Sequence, residues 1–177
     1  FTLRENLRWS DGEPLTAEAR SSFGYMPEER GLYPKQPILD QLVYLGQLHR
    51  MSGPAARKGA IELLERFGLG GRTKDKLESL SLGNQQRVQI AASLLHKPTV
   101  LILDEPFSGL DPVAVDSMVE LLRERTSAGV PVLFSSHQLD LVDRLCDNMV
   151  VLQQGKVIAS GTGDDLRARA VNRHRIT

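Results

Sequence analysis

The 177 residues carry 41% hydrophobic side chains, enough for one sizeable core, and Lys+Arg balance Asp+Glu at 22 each. No global field therefore favours nucleic acid or an anionic membrane surface. The lone Cys146 excludes an internal disulfide and a thiolate metal cluster, and fits a reducing cytoplasm. No apolar run approaches the roughly 20 residues of a membrane span. No signal-peptide pattern is present, and a chain that opens on Phe1 rather than Met reads as a segment of something longer.

In chain order, "LRWSDGEPLT" predicts a short strand-like piece, a turn at Asp11-Gly12 and a break at Pro14. "SSFGYMPEERGLYP" reads as a strand end entering a loop. A helix is expected from Ile38 to Met51, with Leu42, Leu45 and Leu48, and Val43 beside them, on one apolar side. Gly53-Pro54 closes it and opens a second helix, which pairs Ile61 with Leu64 and Leu63 with Phe67. "GLGGRTKDKLESLS" is polar and glycine-rich, hence a loop.

The pattern then alternates. Val88, Ala91, Ala92 and Leu95 mark one helix face, Pro98 ends that helix, and "TVLILD" is a fully apolar strand. Asp111-Pro112 is an N-cap followed by proline at the first helical position. Val115, Met118, Val119 and Leu122 continue a helix that Gly129 stops. "VPVLFSS" is the next strand, a short helix runs to Leu145, and "NMVVLQQGKVIASG" is a hairpin turning at Gln154-Gly155. The last ten residues, from Ala168, are basic and read as a frayed tail. Helices alternating with apolar strands imply an α/β fold whose parallel sheet is covered on both faces. The strandless stretch Leu32–Gly71 is a helical insertion on it.

Three places carry candidate chemistry. Val100 to Leu103 deliver Asp104 to the carboxyl end of a buried strand, where open α/β sheets bind ligands. In phosphoryl transfer, adjacent acids there divide two jobs: Asp104 for a metal, Glu105 for the attacking water. The plainer alternative is two solvated acids at a strand end. Ser81-Leu82-Gly83-Asn84 offers a hydroxyl, a glycine and a helix N-terminus, either an anion site or an ordinary N-cap. His137 follows "VPVLFSS", at the edge that holds Asp104 if the two strands are neighbours; a histidine there can hydrogen-bond a γ-phosphate, and the alternative is a surface histidine at a helix start. His49, His96 and His174 read as surface or structural, and no His/Cys cluster suggests zinc.

Taken in order, these segments resemble the ATP-binding subunit of ATP-binding cassette (ABC) transporters. "LSLGN" with "QQR" stands at the family's signature motif, "LILDEP" at the Walker B strand, "SGLD" at the D-loop and "SSHQLD" at the switch-histidine loop. "GYMPEERGLYP" is similar to the Q-loop region of subunits serving export-type permeases. The resemblance runs from about Trp9 to Arg167.

It implies a P-loop NTPase-type (RecA-like) α/β fold with a mostly parallel sheet, incomplete at its N-terminus. The ATP-binding domain would span 1–167, its helical subdomain about 32–95, and the basic tail 168–177. It further implies ATP and Mg²⁺ as ligands, Glu105 as general base, Asp104 as the Mg²⁺ residue, His137 as transition-state clamp and Asp111 as the link across a dimer. Ser81 and Gly83 would touch the γ-phosphate held by a second nucleotide-binding domain. The helices from Leu32 to Gly71 would dock on a separate membrane permease, placing the chain peripherally on the cytoplasmic face of the cell membrane.

The chain departs from the family at three points. Leu82 and Asn84 replace the usual glycine and glutamine of the signature, while Gly83 is kept. The Q-loop position falls on Glu28, still able to ligate Mg²⁺ but with added negative charge. Finally, the phosphate cradle G-x-x-x-x-G-K-[ST] is absent: the one Gly-Lys pair, Gly155-Lys156, precedes Val157 in a hairpin. The chain is therefore expected to lack the N-terminal P-loop portion and to be inactive alone. Two rival readings stand beside this one. A DNA-repair or chromosome-maintenance ATPase needs far more chain between Glu28 and Ser81. A truncated, non-catalytic module binding the permease or a full-length partner is the alternative to an ATP-hydrolysing export subunit.

Overall fold

The computed structural model describes residues 22–28 and 31–173, with side chains to 168. The expectations at Trp9, Asp11-Gly12, Pro14 and His174 lie outside the described residues. The chain divides into two compact units, 1–135 and 136–177.

In the first unit, β1 (Phe23–Met26), β2 (Val100–Asp104) and β3 (Val132–Ser135) form a parallel sheet in the order β1-β2-β3. Met26 lies opposite Leu103, and Asp104 opposite Ser135, so all three strands end at one edge. Parallel neighbours require long crossovers. Residues 27–99 supply the first, with no strand among those described, as the sequence leads one to expect.

That crossover holds three helices. α1 (Ile38–Leu48) is shorter than expected, because the chain turns at Arg50 with φ 64°. Its buried residues are Ile38, Leu39, Gln41, Leu42 and Gly46, leaving Leu45 half-buried and Leu48 exposed. Gly46 is among them because α2 (Gly53–Arg66) crosses there: a Cβ on Gly46 would lie 2.8 Å from that of Ala56. Ser52 caps α2, its Oγ accepting from Ala55 N–H at 3.4 Å. Ala56, Ala60, Leu63, Leu64 and Phe67 are its buried side. The expected loop contains two single 3-10 turns, Gly70–Arg72 and Leu77–Ser79, the second of which buries Leu77.

α3 (Leu82–Leu94) departs most from the sequence pattern. Instead of one apolar face, it buries Gln85, Gln86, Gln89 and Ser93 as well as Val88, Ile90, Ala91 and Leu94, and Ala92 is only half-buried. Buried polar groups persist where they are hydrogen-bonded, and each of these reaches a main-chain carbonyl. The helix lies directly on β1, where a Cβ on Gly24 would fall 2.3 Å from the Ser93 carbonyl oxygen.

The sheet has one closed face, with Leu101 and Leu103 buried. On the other, Tyr25, Ile102 and Leu133 stand in register, and Tyr25 is 60% and Leu133 65% exposed. The expectation that both faces are covered is thus corrected for the described residues. Between β2 and β3, α4 (Pro112–Ser127) starts at the Asp111 cap, whose Oδ1 accepts from Ala114 N–H at 2.8 Å. It buries Ala114, Met118, Val119, Leu121 and Leu122, and Gly129 ends it at φ 82°.

The second unit holds α5 (Leu139–Leu145), an antiparallel hairpin of β4 (Met149–Gln153) and β5 (Lys156–Gly161), and α6 (Gly163–Arg173). Gln154 and Gly155 both take positive φ, as a tight hairpin turn requires. The expected frayed tail from Ala168 is helical to Arg173. Arg167 pairs with Asp143 at 2.6 Å and Asp164 at 2.8 Å. Among the described residues no helix is long and apolar enough to cross a membrane.

Candidate functional site

Three strands ending at one edge bring Glu28, Asp104, Glu105 and Ser135 to the carboxyl side of the sheet. Glu28 is exposed, two residues beyond β1. Asp104 ends β2, and its Oδ1 accepts a hydrogen bond from the Ser135 hydroxyl. The same Ser135 Oγ accepts from Glu105 N–H at 3.0 Å. One hydroxyl therefore orients the first acid and holds the main chain of the second.

Glu105 takes φ 46°, in the left-handed region. A non-glycine residue there costs about 1–3 kcal/mol and persists only where its surroundings over-determine it. Here they do. Beyond the Ser135 contact at its N–H, its carbonyl accepts from Ser108 N–H at 3.1 Å and from Gln86 Nε2 at 3.1 Å. The left-handed turn lifts the chain off the strand line, so the residue after Asp104 does not continue the pleat.

Ser81 to Asn84 cap and open the first turn of α3. Ser81 is its N-cap, with Oγ accepting from Asn84 N–H at 3.4 Å, so the ordinary capping role is filled. Leu82 is 59% exposed. Gly83 faces the loop after β2: a Cβ there would stand 3.2 Å from the Gly109 carbonyl oxygen and 3.6 Å from Leu110 Cδ2. Arg87, one turn on, donates to Phe67 O at 3.3 Å and to Asn84 Oδ1 at 3.5 Å, and its guanidinium is 3.9 Å from Asp111 Oδ2. Asp111 is thus both helix cap and ion-pair partner inside this chain.

His137 is exposed and follows β3 by two residues, in the second unit. β2 and β3 are neighbours. His96 is structural: Nε2 lies 3.0 Å from Phe23 O, and its ring stacks on His49 with centroids 3.7 Å apart. Burial, and secondly the nearby His49, push the His96 pKa below its ordinary value.

Sequence reasoning missed Ser135 and the three glutamines of α3. The signal for Ser135 was a hydroxyl closing an apolar strand beside one that ends in Asp. For the glutamines it was Gln85 and Gln89 at i,i+4 within a helix otherwise rich in apolar residues.

Among the described residues no three His, Cys, Asp or Glu side chains converge as a metal cage. Mg²⁺ does not ask for one, since it is usually held by one or two carboxylates, waters and substrate phosphates. An oriented Asp104 carboxylate at a sheet edge suits that donor set.

A family model described as ABC transporter matches residues 4–108. An uncharacterized ABC transporter ATP-binding protein of Bacillus subtilis (strain 168) is 43% identical over 172 residues, covering 97% of this chain and 57% of that protein. The linearmycin resistance ATP-binding protein of the same organism is 38% identical over 154 residues, 87% of this chain and 50% of its own. A solved structure of an ATP-binding subunit of an ABC transporter aligns with TM-score 0.80 and 33% identity, covering 91% of this chain and 68% of that one. The chain spans about half to three-fifths of the length of these curated relatives.

Proposed function

Since the chain belongs to the ABC transporter ATP-binding family, we propose that it forms part of a subunit that hydrolyses ATP to drive export through a separate membrane permease. In this reading Asp104, steadied by Ser135, is the protein ligand of the nucleotide's Mg²⁺, with Glu28 as a second carboxylate on the same side. When bound, the ion would neutralise charge developing on the phosphates. Glu105 orients the attacking water and takes its proton, and His137 donates a hydrogen bond to the γ-phosphate.

Ser81 and Gly83, with Leu82 and Asn84 beside them, complete a nucleotide site held by a second nucleotide-binding domain. Asp111 stands next to that contact. The helices over 32–71 meet the permease, and the subunit sits peripherally on the cytoplasmic face of the membrane. Export is favoured over uptake by the relative named for linearmycin resistance.

The observation that carries this reading is Glu105 itself, an acid held in a left-handed conformation beside Asp104 at a sheet edge. Such conformations persist where the surroundings impose them, and they cluster at functional sites. The test is Glu105→Gln in a subunit that also carries a phosphate-binding loop. ATP binding should stay nearly intact while turnover falls on the order of 10²-fold, the scale of a lost general base. Wild-type turnover in that variant removes Glu105 from the role. Residues 1–177 alone contain no G-x-x-x-x-G-K-[ST] loop, so calorimetry on them should find MgATP binding no tighter than about millimolar, some 4 kcal/mol. Micromolar, Mg²⁺-dependent binding means that another segment cradles the phosphates.

A further inference from the structure

Helix α3 sends three buried glutamine side chains to three different loops. Gln85 Nε2 donates to Leu80 O at 2.8 Å, just before the Ser81 cap. Gln86 Nε2 donates to Glu105 O at 3.1 Å. Gln89 Nε2 donates to Pro27 O at 2.7 Å, in the peptide bond that leads into Glu28. The helix thus grips the main chain beside every acidic or hydroxyl group assigned above to the nucleotide, Asp104 excepted.

We propose that Gln86 is a positioning residue for Glu105, setting where its carboxylate stands without touching nucleotide or water. This rests on the reading of Glu105 as the residue that orients the attacking water. Three hydrogen bonds to the Glu105 main chain differ in kind. The Ser108 N–H closes the local turn and moves with it. The Ser135 hydroxyl ties the N–H side to β3. Among the described contacts, the Gln86 amide is the one that ties the carbonyl side to a separate element, the rigid helix α3. A turn anchored at one end swings about that end, whereas two anchors fix both the peptide plane and the direction of Cα–Cβ. A buried glutamine suits the task, since its amide donates in a fixed plane and it carries no charge to disturb the neighbouring acids.

If Gln86 only filled space, methionine would replace it at similar length and volume. Gln86→Met keeps the Ser108 contact and a filled site but removes the donor. In a subunit with its phosphate-binding loop, kcat should fall about 10- to 100-fold, as for a catalytic group displaced by about an ångström, while the KM for ATP stays within about twofold. Gln86→Glu adds a readout that packing does not move. As an anion its carboxylate cannot donate to Glu105 O, but once protonated it can.

Burial raises the pKa of an introduced acid, so the activity of Gln86→Glu relative to wild type should recover as pH is lowered from about 8 to about 6. The Gln86→Met ratio should stay flat. A third measurement needs no turnover. Hydrogen exchange at the Glu105 and Ser108 amides should quicken about tenfold in Gln86→Met, with Leu101 and Leu103 unchanged. Unchanged kcat in Gln86→Met, a flat Gln86→Glu ratio, or unchanged exchange at Glu105 each overturns the proposal. A wild-type subunit that fails to hydrolyse ATP while the exchange result holds overturns the hydrolysis reading and leaves the positioning of Glu105 standing.

Discussion

Gly24 is where helix α3 rests on the sheet, and Gly24→Ala tests that directly. The added Cβ would lie 2.3 Å from Ser93 O, 2.6 Å from Leu101 Cδ2 and 2.8 Å from Pro98 Cγ. Leucine and proline can shift a little, but the carbonyl belongs to the helix backbone and no rotamer relieves it. To restore ordinary contact, α3 must retreat from β1 by about 1 Å, at the cost of about 1–3 kcal/mol typical of an overpacked core.

For a chain of this size each kcal/mol lowers the midpoint by about 2–4 °C, so a loss of about 2–12 °C is expected in a thermal melt followed by circular dichroism. Gly71→Ala is the control, because nothing lies within 4 Å of its added Cβ. It should melt at or slightly above wild type, as loss of glycine freedom stabilises by about 0.4–1 kcal/mol where the site accepts alanine. Retreat of α3 should also stretch the Gln89–Pro27 and Gln86–Glu105 contacts, so turnover should fall in Gly24→Ala below what its stability explains. Equal midpoints for the two variants would refute the claim that α3 bears on β1 at this glycine.

Asp111→Ala should cost about 1 kcal/mol of stability in urea denaturation, the value of a lost N-cap, because Oδ1 caps Ala114; no loss would mean that the cap is not made in solution. His96 predicts a pH dependence. Its folded pKa is lowered, so as pH falls the unfolded chain takes the proton first, near its ordinary value of about 6.5. The stability is therefore complete above that value and is lost as pH falls from there through the folded pKa. His96→Gln should flatten the slope of stability against pH in that window, and an unchanged slope would show that another group carries it.

The strands and helices were legible wherever burial follows periodicity. "VLILD" alternates buried and half-buried residues in the structure as an apolar strand should, and Asp111-Pro112 and Gln154-Gly155 act through the local backbone, which short motifs report well. The apolar side assigned to α1 erred at Leu48, because the true contact is made by a small residue, Gly46, against Ala56. Hydropathy marks large apolar side chains and is blind to glycines that serve by letting another helix come close. The open row Tyr25, Ile102 and Leu133 reads as core for the converse reason: apolar character records the capacity to be covered, and the described residues do not cover it.

The site was legible in its acids and illegible in their supports. Asp104 and Glu105 stand out because two adjacent carboxylates follow four apolar residues, at the strand end where open α/β sheets bind ligands. Gln86 and Ser135 lie 19 and 30 residues from Glu105 along the chain, and only the parallel register and the packing of α3 bring them to it. Even the left-handed backbone of Glu105 has no local mark, since glutamate has no intrinsic preference for it and no glycine or asparagine announces the turn. Such a conformation has to be imposed by long-range contacts. The polar residues that a periodicity analysis sets aside as exceptions on a buried helix are then the ones to examine first, because burial without charge leaves a glutamine little to do except hold another segment's backbone in place.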